Sequence, residues 1–151
     1  VGGTEDRGQL AQPAAAPQVD LEQAVARGMV RAGRGGSIIN MSSQMGHIGA
    51  AKRSIYCASK WAIEGFSKSL AIELGPHGVR VNTICPTFIE TPLTQPYFTD
   101  GAFREEVLGK IKLGRLGQVQ DILGAAVFLA SDASALTTGS ALMVDGGWTA
   151  E

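Results

Sequence analysis

Tyr56 and Lys60 are the two residues of this 151-residue chain whose types and spacing point most directly to chemistry. They are four positions apart in a helical pattern, which puts both side chains on one face, one above the other. A lysine ammonium beside a phenol favours the phenolate and lowers a pKa that is ordinarily about 10. A tyrosine tuned in this way can give or take a proton near neutral pH. The pair alone also fits a solvated helix face. Ser42 and Ser43 stand where a short apolar run ends, and a hydroxyl there can hydrogen-bond a substrate carbonyl oxygen as charge develops on it. As isolated residues they read equally as polar loop. Thr91, after a second apolar run, can bind a ligand amide or cap a turn.

The elements that must position these residues follow from periodicity. Leu21, Ala24, Val25, Met29 and Val30 recur at helical spacing after Asp20, a candidate N-cap, and Gly33, Gly35 and Gly36 stop that helix. Residues 37–41 are a β-branched apolar run suited to a strand buried on both faces. A long helix follows the loop 43–54, with Ala62, Phe66, Leu70 and Leu74 as one stripe, widened by Ile63 and Ala71. The breakers Gly75-Pro76-His77-Gly78 end it. Residues 79–84 are the second strand, and 86–96, with three prolines and three threonines, a loop. Helices over 103–111 and 121–130 and a short strand over 141–144 complete the order. Such alternation predicts a parallel sheet covered by helices.

Composition narrows the function classes. Lys plus Arg number 13 against 14 Asp plus Glu, which removes the basic footprint of a nucleic-acid or acidic-membrane binder. No apolar run approaches the ~20 residues needed to span a bilayer. The start has no basic region leading into an apolar one, as a signal peptide would. Cys57 and Cys85 therefore read as free thiols in a reducing cytoplasm. His47 and His77 are not at metal-ligand spacing from either, and no metal is expected. Residues 1–18, rich in Gly, Ala, Pro and Gln, read as a disordered or low-complexity tail, with 19–151 the folded part.

Taken together, GGSIINMSSQMG, YCASK, VRVNTICPTFIETPL and TTGSALMVDGG resemble, in order and spacing, the classical short-chain dehydrogenase/reductase family. The resemblance covers residue 23 to the end. It implies an NAD(P)-dependent oxidoreductase moving a hydride between a nicotinamide and a small alcohol or carbonyl substrate. Tyr56 matches the catalytic acid/base, and Lys60 matches the lysine that tunes it and holds the nicotinamide ribose. Ser43, rather than its backbone neighbour Ser42, has the family's separation from the tyrosine and would polarise the substrate oxygen. Pro86, Thr87, Ile89 and Thr91 match the segment lying along the nicotinamide, with Thr91 near the carboxamide. Thr87 departs from the family's usual glycine. The family also forms dimers and tetramers, so a homo-oligomer through the Tyr56 helix or the C-terminal segment is expected.

The implied fold is α/β: a partial, Rossmann-like, doubly wound parallel sheet made of the last three strands and their helices. The N-terminal βαβ unit, whose glycine-rich turn receives the pyrophosphate, is absent from the reading. Gly33-Arg34-Gly35-Gly36 precedes a strand and opens no helix, so it fails as a dinucleotide fingerprint. The family's Asn-Ala-Gly segment and tetrad asparagine are also missing. The first strand should then present an open edge through which a marginal monomer associates. Two functions of different classes follow: the oxidoreductase, and a truncated, catalytically silent chain that interacts with other subunits. NAD versus NADP preference is set at a strand end that the reading does not contain.

Overall fold

The computed structural model describes residues 17–150. The expected tail lies outside them up to residue 16, whereas residues 17 and 18 already belong to a helix. The elements are α1 (Pro17–Ala32), β1 (Gly36–Met41), α2 (Ser54–Leu74), β2 (Val79–Pro86), α3 (Gly101–Lys110), α4 (Val119–Ala130) and β3 (Ala141–Val144). Proline suits the first turn of α1, where its missing N–H has no intrahelical acceptor. The helix thus starts two residues before Val19, with Asp20 inside it rather than capping it.

β1, β2 and β3 form one parallel sheet in that order, with Ile38 opposite Val81 and Thr83 opposite Ala141. Helices α1 and α2 cover one face. There Ala26, Ile38, Leu70, Ala71, Leu74, Val79 and Val81 close the main core, with Phe66 packed against it. Each fully buried Val, Leu or Ile contributes about 1.5–3 kcal/mol. Asn40 ties this layer together, donating from one amide nitrogen to Glu22 of α1 at 2.9 Å and to Ser67 of α2 at 2.8 Å. On the opposite face Ser37 donates to the Leu129 carbonyl of α4 at 2.7 Å, so the sheet carries helices on both sides. Among the described residues β1 is paired only with β2, and its other edge is open as expected.

The stripe expected on α2 is half right. Phe66, Leu70, Ala71 and Leu74 face the core, but Ala62 is exposed. Over the first two thirds of the helix the buried positions are Cys57, Glu64 and Ser67. Hydrophobic periodicity misses polar residues that are buried because they are hydrogen-bonded.

A second cluster surrounds α3, where Val107, Ile111 and Leu116 pack with Phe88, Phe98, Phe103 and Trp148. Phe88 meets Phe98 and Phe103 edge-on, each at 5.8 Å between centroids. No helix among the described residues is long and apolar enough to cross a membrane.

Candidate active site

The carboxyl ends of β1 and β2 open side by side, and the chain leaves each to make one wall of a cavity. After β1, Ser43 begins a single 3-10 turn, Gln44–Gly46, and its hydroxyl oxygen accepts from the Met45 N–H at 3.2 Å. The hydroxyl proton is left to donate elsewhere. Ser42 is buried beside the same turn. The turn lies very close to α2. A Cβ on Gly46 would stand 3.0 Å from Glu64 Cγ, 3.0 Å from Ser42 Oγ and 3.2 Å from the Lys60 carbonyl oxygen.

Tyr56 projects from the first turn of α2. Lys60, one turn later, places its Nζ 5.6 Å from the Tyr56 ring centroid and donates to the Met41 carbonyl at the end of β1, at 3.1 Å. One ammonium proton is thereby used. Two remain for other acceptors.

Beyond β2, residues 86–91 run extended because two backbones hold them. Thr87 N–H donates to Val144 of β3 at 3.2 Å, Gly117 N–H to Phe88 at 2.9 Å, and Glu90 N–H to Gly117 at 2.8 Å. A Cβ on Gly117 would fall 2.4 Å from Ile89 Cδ1 and 3.3 Å from the Phe88 carbonyl oxygen, so a larger residue would require the Ile89 side chain to move aside. Thr91 closes the segment in a turn in which its hydroxyl and that of Thr94 lie 3.1 Å apart.

The cavity between these walls has a volume of about 440 Å³. Its lining includes Ser43, Tyr56, Pro86, Thr87, Ile89 and Thr91, all expected from the sequence; Lys60 stands behind Tyr56. A second cavity of about 460 Å³ adjoins it and shares Thr87 and Ile89. The Thr87 hydroxyl is buried without a hydrogen-bond partner. An orphaned polar atom of this kind is open to a water or a ligand group.

Three further residues escaped sequence reasoning. Gln44 is 1% exposed and lines the cavity, yet neither its amide nitrogen nor its amide oxygen has a partner. The signal was present only as one more polar residue after two serines. Arg53 is the one charged side chain among those lining this cavity, and its guanidinium lies 5.8 Å from the Tyr97 ring. Phe88 lines the cavity from the other side. The aromatic residues 97, 98 and 103, equally readable as pocket or core, divide: Tyr97 lines the cavity, while Phe98 and Phe103 belong to the second core.

Two buried ionisable groups lie just outside the cavity. Burial raises the Asp145 carboxyl, but donors from Thr149 Oγ1 at 2.6 Å, Thr149 N–H and Gly147 N–H outweigh it and hold it below the usual carboxylate range. Burial pushes the Cys85 thiol up to about 11. That thiol donates to Glu64 Oε1 at 3.2 Å, and Glu64 Oε2 accepts from Thr83 at 3.1 Å.

Comparison with known proteins agrees with this geometry. A family model described as enoyl-(acyl carrier protein) reductase matches residues 17–149. L-xylulose reductase from Bos taurus is 41% identical over 132 residues, 87% of this chain and 54% of that protein. A 3-oxoacyl-[acyl-carrier-protein] reductase from Pseudomonas aeruginosa is 45% identical over 127 residues, 84% of this chain and 50% of that protein. This chain spans about half the length of these curated relatives. Among solved structures, a putative 2-deoxy-D-gluconate 3-dehydrogenase from Agrobacterium tumefaciens with bound NADP superposes with a TM-score of 0.83. It is 39% identical, over 86% of this chain and 53% of that one. A 4-hydroxyisoleucine dehydrogenase complexed with NADH gives a TM-score of 0.85 at 36% identity, over 89% of this chain and 55% of that one. With the serine, tyrosine and lysine in place and the three-stranded parallel sheet behind them, this chain belongs to the short-chain dehydrogenase/reductase family.

Proposed function

We propose that this chain carries the chemical centre of an NAD(P)-dependent oxidoreductase acting on a small alcohol or carbonyl substrate. The observation that carries the reading is the single cavity lined by Ser43, Tyr56, Pro86, Thr87, Ile89 and Thr91, with Lys60 directly behind Tyr56. It favours an enzyme over a catalytically silent chain.

The residues fit the nicotinamide end of the cofactor. The orphaned Thr87 hydroxyl and the two uncommitted protons of Lys60 are donors for its polar groups, and Pro86 and Ile89 offer an apolar surface to the ring. Thr91 would receive the carboxamide once its hydroxyl turns from Thr94. Gly33–Gly36 links α1 to β1 and opens no helix, so it offers no pyrophosphate site. When bound, the reduced cofactor supplies a hydride to the substrate carbonyl carbon. Ser43 donates a hydrogen bond, keeping its proton, to the carbonyl oxygen and so stabilises the charge that builds there. Tyr56 gives that oxygen its proton, and the Lys60 charge compensates what remains on the phenol. The Gln44 amide and Arg53 select substrates with hydroxyl or anionic groups beside the carbonyl.

The unpaired thiols Cys57 and Cys85 suit a cytoplasmic setting. Ile55, Trp61 and Ile72 expose apolar surface on α2 and support self-association through that helix. Reduced-cofactor consumption with a panel of small ketoses and oxo acids tests the reading. Turnover that Tyr56→Phe lowers by about 10²–10⁴-fold supports it; turnover insensitive to that change refutes it.

A further inference from the structure

Next to the candidate active site, three side chains of metal-ligating type converge from three elements. His47 follows the 3-10 turn after β1, Glu64 stands inside α2, and Cys85 is the penultimate residue of β2. His47 Nε2 lies 3.5 Å from Glu64 Oε1 and 3.5 Å from Cys85 Sγ, and Cys85 Sγ lies 3.2 Å from Glu64 Oε1. The three donor atoms fall within 4.8 Å of one another. From these distances we propose that His47, Glu64 and Cys85 form a binding site for a divalent cation of zinc type, independent of the nicotinamide chemistry.

The separations that hydrogen bonds now hold also suit a metal ion. A tetrahedral zinc ion holds thiolate sulfur at ~2.3 Å and imidazole nitrogen or carboxylate oxygen at ~2.0–2.2 Å, which sets the edges of the ligand triangle near 3.3–3.6 Å. The observed edges of 3.2, 3.5 and 3.5 Å need shifts of only a few tenths of an ångström. A sulfur, a nitrogen and an oxygen donor are also the mixed set that zinc accepts, whereas magnesium and calcium call for oxygen alone. Charge balances as well. A thiolate and a carboxylate neutralise a dication in a place where Cys85 is 0% exposed and Glu64 is buried. Binding replaces the Cys85 S–H bond with a sulfur–metal bond, and the proton leaves to solvent.

The surroundings supply the remaining requirements of a metal site. Thr83 Oγ1 holds the second carboxylate oxygen of Glu64 at 3.1 Å, fixing its orientation as outer-shell partners do. The His47 side chain is 30% exposed, which gives the ion an entry path and leaves a fourth position for water. An ion here would pin together the turn carrying Ser43, the helix carrying Tyr56 and Lys60, and the strand leading into Pro86.

The test is titration of the untagged full chain, kept reduced, with Co²⁺ as a spectroscopic probe and Zn²⁺ as competitor. The expected result is one equivalent bound, with a thiolate-to-cobalt charge-transfer band that Zn²⁺ abolishes. Cys85→Ser should remove the band, and Cys57→Ser should keep it. His47→Gln, at a partly exposed position, should weaken binding at least about tenfold, and Thr83→Val by about tenfold. Circular dichroism confirms that each variant is folded. Absence of the band in the unsubstituted chain, its survival in Cys85→Ser, or unchanged affinity in His47→Gln overturns the proposal.

Discussion

Lys60 holds its ammonium 5.6 Å from the Tyr56 ring centroid while its proton donation to Met41 anchors it to the end of β1. The helix that supplies both residues is thus fastened to the strand that supplies Ser43, and the three groups are positioned together. Lys60→Met removes both the charge and the anchor. It should lower kcat/KM by about 10²-fold or more and also weaken NADH or NADPH binding, because the proposed function has the same ammonium hold the nicotinamide ribose. Steady-state kinetics alongside cofactor titration separates the two effects.

Ser43 has a structural and a chemical task. As acceptor for the Met45 N–H it starts the turn after β1, and in the proposed reaction its remaining proton serves the substrate oxygen. Ser43→Ala should cost about 1 kcal/mol of stability through the lost cap and about 10²-fold in kcat. Thermal unfolding and kcat together check this: a large kcat loss with a small shift in Tm is the expected pattern.

Gly46→Ala tests the close packing of that turn on α2. The added methyl would meet Glu64 Cγ and Ser42 Oγ at 3.0 Å and the rigid Lys60 carbonyl at 3.2 Å. Overpacking of this kind costs about 1–3 kcal/mol. A lowered denaturant midpoint with an unchanged m-value is the expected reading.

Asp121 supplies the pH dependence. It accepts from Arg115 at 2.7 and 2.9 Å and from the Gln118 N–H at 2.7 Å, capping α4, and these donors hold its carboxyl well below the usual range. A depressed folded-state pKa means a stabilisation that is complete above the unfolded value of about 3.9 and lost as pH falls below it. Asp121→Asn should therefore lower Tm near neutral pH, with the gap from the unsubstituted chain closing in acid below about pH 4. Added salt should shrink the gap as well, because the pair is at the surface.

Gln44→Leu keeps the volume and removes the two orphaned amide atoms. For a hydroxylated substrate KM should rise about tenfold or more with little change in cofactor affinity. An unchanged KM would assign Gln44 to packing alone.

The order of strands and helices was legible because apolar periodicity changes where the elements change, and the 141–144 strand was read to the residue. Ser43, Tyr56 and the 86–91 segment were legible because their chemistry lies in short motifs at strand and helix ends. Other features depend on contacts between distant residues. Glu64 and Ser67 sit on the buried face of α2 because Thr83, Cys85 and Asn40 bond to them from the sheet, and no local pattern records those partners. His47 and Cys85 are 38 residues apart and meet only when β1 and β2 pair. The resemblance to a dinucleotide-dependent family could name Thr87 but not show its hydroxyl buried without a partner, which depends on how the 86–91 segment packs against distant residues.

In the proposed function the cavity between Ser43, Tyr56 and the 86–91 segment receives the nicotinamide end of the cofactor. The most direct test is titration of the purified chain with NADH and NADPH, following fluorescence from Trp61 and Trp148. The expected result is a saturable change with a Kd in the micromolar range for at least one of the two, weakened about tenfold or more by Lys60→Met. A signal that never saturates, or saturation that Lys60→Met leaves untouched, would contradict it.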